Sequence, residues 1–111
     1  MNERLLQFIW QHLYFNKEQL TTVNGDSISI LTQGLLNGNQ GPDFLHARIH
    51  INNIIWFGNI ELHIKTSDWD KHGHTDDEHY GNIILHVVWE HDQTTDPTIP
   101  VLELKNRIST S

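Results

Sequence analysis

Cysteine is absent from this chain. Disulfides and thiolate zinc sites are therefore excluded. No apolar run approaches 18 residues, so the sequence offers no candidate membrane helix. The N-terminal stretch RLLQFIWQHLYF contains Gln and His and lacks a small-residue cleavage site. It reads as a helix rather than a signal peptide, and the cytoplasm is the expected location. Positive charge is scarce, with 7 Lys and Arg against 14 Asp and Glu and a net charge of -7. A bare nucleic-acid-binding module usually carries the opposite sign. A metal-dependent nuclease is less affected by that objection, because its own site must be acidic. No P-loop, dinucleotide fingerprint, nucleophile elbow, internal repeat or low-complexity tract is present. At 111 residues, with 37% hydrophobic content and a mean hydropathy of -0.46, the chain suits one polar globular domain.

Histidine is abundant. Nine of the 111 residues are His, against roughly one in forty or fifty in ordinary proteins. Their placement follows a recognisable order of elements. Leu5, Leu6, Ile9, Trp10 and Leu13 make a helical stripe over residues 3–15, with Asn16 as a stop. VNGD, 23–26, is a hairpin-type turn before an alternating strand at 27–31. QGLLNGNQGP, 33–42, reads as loop. The next strand, 44–51, puts Ala47, Ile49 and Ile51 on one face and His46, Arg48 and His50 on the other. After a turn at INN, residues 54–65 form a third strand, with Ile60, Leu62 and Ile64 opposite Glu61, His63 and Lys65. Residues 66–82 are polar and loop-like, with a short helical turn at 76–81. IILHVVWEH, 83–91, is apolar enough to be the central strand. Residues 93–111 read as a linker or truncated tail, with VLELK, 101–105, as a short strand. The fold class is α+β with a mixed sheet, the core covering 4–92.

Three groups could carry chemistry. The first is Asp43 at a strand entrance with Glu61, His63 and Lys65 at every second position of the next strand. Two carboxylates on adjacent strands can grip a hard cation such as Mg²⁺. Such an ion polarises a phosphoryl oxygen and activates water, and a nearby basic group can stabilise the developing charge. The plain structural alternative is an amphipathic strand with a solvated polar face. The second group is SDWDKHGHTDDEHY, where Asp68, His72, His74 and His79 could bind a transition metal; its alternative is a solvated loop. The third is His86 with Glu90 in the apolar strand, where His86 reads as a satisfied core histidine. Ser67 beside Asp68 does not make a convincing nucleophile.

The string GPDFLHARIHI…WFGNIELHIKTSDWDKHGHTDDEHYGNIILHVVWEHD closely resembles the bacterial domain-of-unknown-function family 2851. That family has the pattern G-P-D-F, G-x-V-E-L-H, S-D-W-x-x-H-x-H and Y-x-x-V-I-L-H-V-V. Members are usually several times longer, which implies that this chain is the N-terminal part of a longer protein and that its C-terminal remainder is a partner. A looser resemblance is to the PD-(D/E)XK nucleases, with the restriction-endonuclease-like α-β-β-β-α-β core. PDF, 42–44, stands at the Pro-Asp position and ELH, 61–63, at the acid-x-Lys position. This resemblance implies Asp43 and Glu61 as ligands of Mg²⁺ or Mn²⁺, with Zn²⁺ second to these. It puts His63 where the family has Lys, a proton carrier in place of a permanent cation. Lys65 could supply the missing charge. The chain is also similar to very-short-patch-repair endonucleases, which implies assistance from His72 or His74. Glu3 on the first helix is implied as a further acid.

Three expectations follow: a metal-dependent nuclease acting on nucleic acid, an inactive nuclease-fold interaction module, or a His-rich metal-binding or small-molecule-binding module. No membrane partner is expected, and an exposed edge strand could pair two copies. The nuclease reading requires the Asp43 and Glu61 carboxylates to lie within about 4–6 Å, with His63 in the same pocket. Carboxylates on opposite faces of the sheet would remove it.

Overall fold

Asn2 starts the first helix. Its side chain accepts a hydrogen bond from the Leu5 amide at 2.8 Å, satisfying one of the free N–H groups of helix α1, Glu3–His12. In the computed structural model, which describes residues 1–71, 81–94 and 98–108, α1 buries Leu6, Ile9 and Trp10. It stops earlier than the stripe suggests. Leu13 takes a left-handed conformation at φ 53°, its N–H bonding to Trp10, and the Tyr14 N–H bonds back to Ile9. This αL cap ends the helix three residues before Asn16.

Six strands follow: β1 Ile28–Thr32, β2 Leu35–Leu36, β3 Phe44–Ile51, β4 Ile54–Lys65, β5 Ile83–Glu90 and β6 Val101–Glu103. A short helix α2, Asp68–Lys71, lies between β4 and β5, and a 3-10 turn spans Lys105–Arg107. They build one curled mixed sheet in the order β1-β3-β4-β5-β6, with β2 added to β3. The β1, β2 and β4 pairings with β3 are antiparallel; β4 with β5 and β5 with β6 are parallel. The domain is therefore α+β, as the order of elements suggests. The middle of the order is β4, with β5 beside it between β4 and β6.

The glycine-rich stretch 33–42 is not all loop. Leu35 and Leu36 pair with Leu45 and Phe44. Gly34 allows this close approach: its φ is +91°, and a Cβ there would stand 2.8 Å from the Leu45 carbonyl oxygen. The sheet does not end at residue 92 either. Val101, Leu102 and Leu104 are buried, and β6 extends the parallel pairing. The helical turn expected at 76–81 falls almost wholly outside the described residues.

The core packs α1 residues Leu6, Ile9 and Trp10 with Ile49, Ile60, Leu62, Leu85 and Leu102, among others. The far end of β4 is different. Ile54, Ile55, Trp56 and Phe57 are all exposed, because β5 joins β4 only from Asn59 onward. No helix among the described residues is long and apolar enough to cross a membrane.

Two irregularities position the site. Between Phe44 and Ala47, β3 uses three steps where β4 uses two, from Ile60 to Gly58. Between Ile83 and Leu85, β5 uses two steps where β4 uses one. In both cases the neighbour carries the extra residue, so β4 alternates without a break. Phe57, Asn59, Glu61, His63 and Lys65 therefore share one face of β4.

Candidate functional site

Asp43 precedes β3 by one residue, and buried Pro42 fixes the backbone leading into it. All its polar atoms are used. The Leu62 amide donates to Oδ2 at 2.9 Å, and the Gln7 side-chain amide donates to Oδ1 at 2.6 Å. The Asp43 amide in turn donates to Oε1 of Glu61 at 3.2 Å. The two carboxyl groups are themselves hydrogen-bonded, so the acids on adjacent strands meet.

Glu61 is 3% exposed. Burial pushes its carboxyl up to about 10, helped by the hydrogen bond and the negative charge of Asp43 and by the charge of Glu3. The Asp43 amide pulls the other way without reversing the shift. A carboxyl raised this far favours its protonated form at neutral pH.

His63 lies two residues on and is 1% exposed. Its Nε2 is 3.8 Å from Oε2 of Glu61. Its Nδ1 is 2.8 Å from Nε2 of His86, which stands opposite Glu61 in the β4–β5 register. One ring nitrogen of this contact donates and the other accepts, so each imidazole constrains the tautomer of the other. Trp69 on α2 covers both rings, with centroids 6.1 Å from His63 and 4.9 Å from His86. A hydrogen-bonded run thus extends from Gln7 through Asp43 to Glu61, touches His63, and continues to His86.

The other sequence candidates divide. Glu3 is near enough for its charge to act on Glu61. Lys65 shares the face but ends the strand, exposed, about 13 Å along from Glu61 at four strand steps. Asp68 accepts from the Lys65 amide at 3.1 Å, tying the start of α2 to β4. Ser67 donates to Asp92 at 2.7 Å, in a clamp that Thr66 shares. His72, His74 and His79 lie outside the described residues. Sequence reasoning did not select Gln7, and it placed His86 in the core. Gln7 had a usable signal: it falls one helical turn after Glu3, on the same side of α1.

The class defined by these features is an α+β domain whose curled mixed sheet carries a part-buried carboxyl pair beside a buried histidine pair. The chain belongs to the family described as protein of unknown function (DUF2851), which it matches over residues 3–111. No match is found among curated proteins or solved structures.

The donor set bears on the metal. Among the described residues, no three His, Cys, Asp or Glu side chains form a metal-binding group. Asp43 and Glu61 are the adjacent carboxyls that would hold Mg²⁺ or Mn²⁺, ions that accept one or two protein carboxylates and fill the remaining positions with water.

Proposed function

We propose that this domain is the core of a metal-dependent nuclease of the PD-(D/E)XK type, hydrolysing phosphodiester bonds in nucleic acid. The observation that carries the reading is the meeting of the Asp43 and Glu61 carboxyls, from adjacent strands, beside His63. The order of helix, antiparallel strands, short helix and parallel strand agrees with a restriction-endonuclease-like core. Asp43 and Glu61 would hold Mg²⁺ or Mn²⁺. When bound, such an ion supplies a polarised phosphoryl oxygen and a water of lowered pKa. Asp43 is oriented by Gln7 and by the Leu62 amide. His63, aligned by His86, takes or gives a proton at the reacting oxygens. Trp69 keeps water from the histidine pair, and Lys65 contributes positive charge further along the face.

The test is plasmid nicking by the full-length protein with Mg²⁺ or Mn²⁺. Cleavage by the wild type that falls at least a hundredfold in Asp43→Ala supports the reading. A folded wild type that cleaves neither DNA nor RNA with either metal rejects it.

A second reading has its own support. Glu61 and His63 are almost wholly buried, and the chain carries -7 charge. A catalytically inactive interaction module would use the same network to hold β3, β4 and β5 together. Retained partner binding by Asp43→Ala, with no cleavage by the wild type, favours that module. The third reading, a His-rich metal-binding module, rests on residues outside the described set. Saturable Zn²⁺ binding that needs His72 and His74 but not Asp43 would favour it.

A further inference from the structure

We propose that the open groove at the β3 bulge, lined by His46, Arg48, Phe57, Asn59 and Asn82, is a nucleotide subsite that holds the phosphate and base of a single-stranded stretch of nucleic acid. The inference rests on the nuclease reading for its substrate class and adds where that substrate is gripped.

The groove has a volume of about 310 Å³, at the small end of the range for ligand pockets. That suits one nucleotide unit rather than a duplex. Its cation is Arg48, whose guanidinium lies 5.2 Å from the centroid of the Phe57 ring. Among the described residues Arg48 makes no ion pair, although acids outnumber bases two to one in the chain. A guanidinium held over an aromatic ring, with no ion pair among the described residues, has N–H donors to offer a phosphate. Phe57 is 63% exposed. A phenyl ring held in water at a groove wall is a stacking platform. The imidazole of His46 adds a further polar group at the rim.

The groove is also held in shape. His46 sits at φ +62° and Asn82 at φ +58°, conformations that cost a side-chain-bearing residue free energy. The Asn59 side chain accepts from the His46 amide at 3.2 Å and donates to the Gly81 carbonyl at 3.2 Å. The Asn82 side chain donates to the Phe57 carbonyl at 3.2 Å. Gly58 lets these parts close up, since a Cβ there would lie 2.6 Å from the Asn82 carbonyl oxygen. Strain and cross-ties around an unpaired cation make a preorganised site.

Its place relative to the carboxyl pair fits a substrate strand. Phe57, Asn59 and Glu61 follow one another along one face of β4, and Phe57 is about 13 Å from Glu61 at four strand steps. A strand gripped at Arg48 and Phe57 would run along β4 toward Asp43 and Glu61.

The test measures binding apart from cleavage. A labelled single-stranded oligonucleotide of about ten residues is titrated with full-length protein in EDTA, and again in Ca²⁺, at several salt concentrations. Wild type should bind. Arg48→Gln should weaken binding about fivefold or more and lower the salt slope by about 0.7, one phosphate contact on a single strand. Arg48→Lys should keep the slope and lose part of the affinity. Phe57→Ala should weaken binding about tenfold, and Phe57→Trp should restore it. Unchanged thermal melting of the variants excludes unfolding as the cause. No binding by wild type, or equal binding by wild type, Arg48→Gln and Phe57→Ala, overturns the subsite. Displacement of the oligonucleotide by an equal nucleotide concentration of a mononucleotide overturns the assignment to a strand. Absence of nicking with this binding pattern intact removes the nuclease reading and leaves the subsite.

Discussion

At Glu61 a proton occupies a place that a cation could take. The unfolded chain ionises this carboxyl near 4.5, whereas the folded chain holds the proton up to about 10. A raised folded value gives stability that is complete below 4.5 and is lost as pH rises from there toward 10. Glu61→Gln keeps a hydrogen-bond donor for Asp43 and cannot ionise. The expected outcome is that wild type and Glu61→Gln melt together near pH 5, with the variant gaining steadily to about pH 9. Thermal melts at four pH values check this, and a gap that stays constant would show that Glu61 is ionised in the fold. Glu61 and His63 were legible as a pair because strand alternation puts residues two apart on one face, and Asp43 joined them only through its place at the entrance of the neighbouring strand. Gln7 was harder to select: its place one turn after Glu3 marks its side of α1 but not the acid it meets 36 residues later. His86 was visible as an oddity in an apolar strand, but only the parallel β4–β5 register brings it opposite Glu61.

The elements around the site are set by what joins them at their ends. Asp92, just beyond β5, accepts from the Thr66 hydroxyl and from both the amide and hydroxyl of Ser67, just beyond β4. The Thr66 hydroxyl oxygen accepts in return from the Asp92 and Gln93 amides. The hydroxyls of Ser67 and Thr66 hold the Asp92 carboxyl well below the ordinary carboxylate range. With the folded value lowered, this stability is present above pH 3.8 and lost as pH falls below it. Asp92→Ala should lower Tm by roughly 5 °C at neutral pH, and the gap should narrow in acid. Calorimetry at neutral pH and at pH below 3.8 measures both, and an equal gap at each would mean the carboxylate charge has no part in the clamp. Sequence periodicity located α1, β1, β3 and β4, and a continuous apolar run located β5, which is buried on both faces. It could not locate the bulges. Ala47, Ile49 and Ile51 alternate plainly, but the left-handed turn at His46 brings Phe44 to the core beside them, across two residues instead of one. A glycine-rich stretch likewise hides β2, whose two residues pair only because Gly34 leaves room. The end of α1 depends on one left-handed leucine, which no propensity scale anticipates.

For the molecule as a whole, the proton on Glu61 couples metal binding to pH and to overall charge. A chain of net charge -7 attracts divalent cations generally, so weak binding alone would not locate a site. The carboxyl pair makes a sharper statement. An ion held by both Asp43 and Glu61 must displace the proton that Glu61 keeps up to about 10. Binding near pH 7.5 should therefore release about one proton per ion, and affinity should rise nearly tenfold per pH unit. Titration calorimetry of Mn²⁺ in buffers of different ionisation enthalpy counts that proton. Glu61→Gln and Asp43→Asn should each abolish the release, while binding by diffuse surface charge would persist in both variants without it. The same ion should raise Tm more at pH 9 than at pH 6, because it supplies the counter-charge whose lack makes ionised Glu61 costly. Mn²⁺ that binds wild type with no proton release and no preference for high pH would place the ion elsewhere on the molecule. The Asp43–Glu61 network would then be a buried structural tie between β3 and β4.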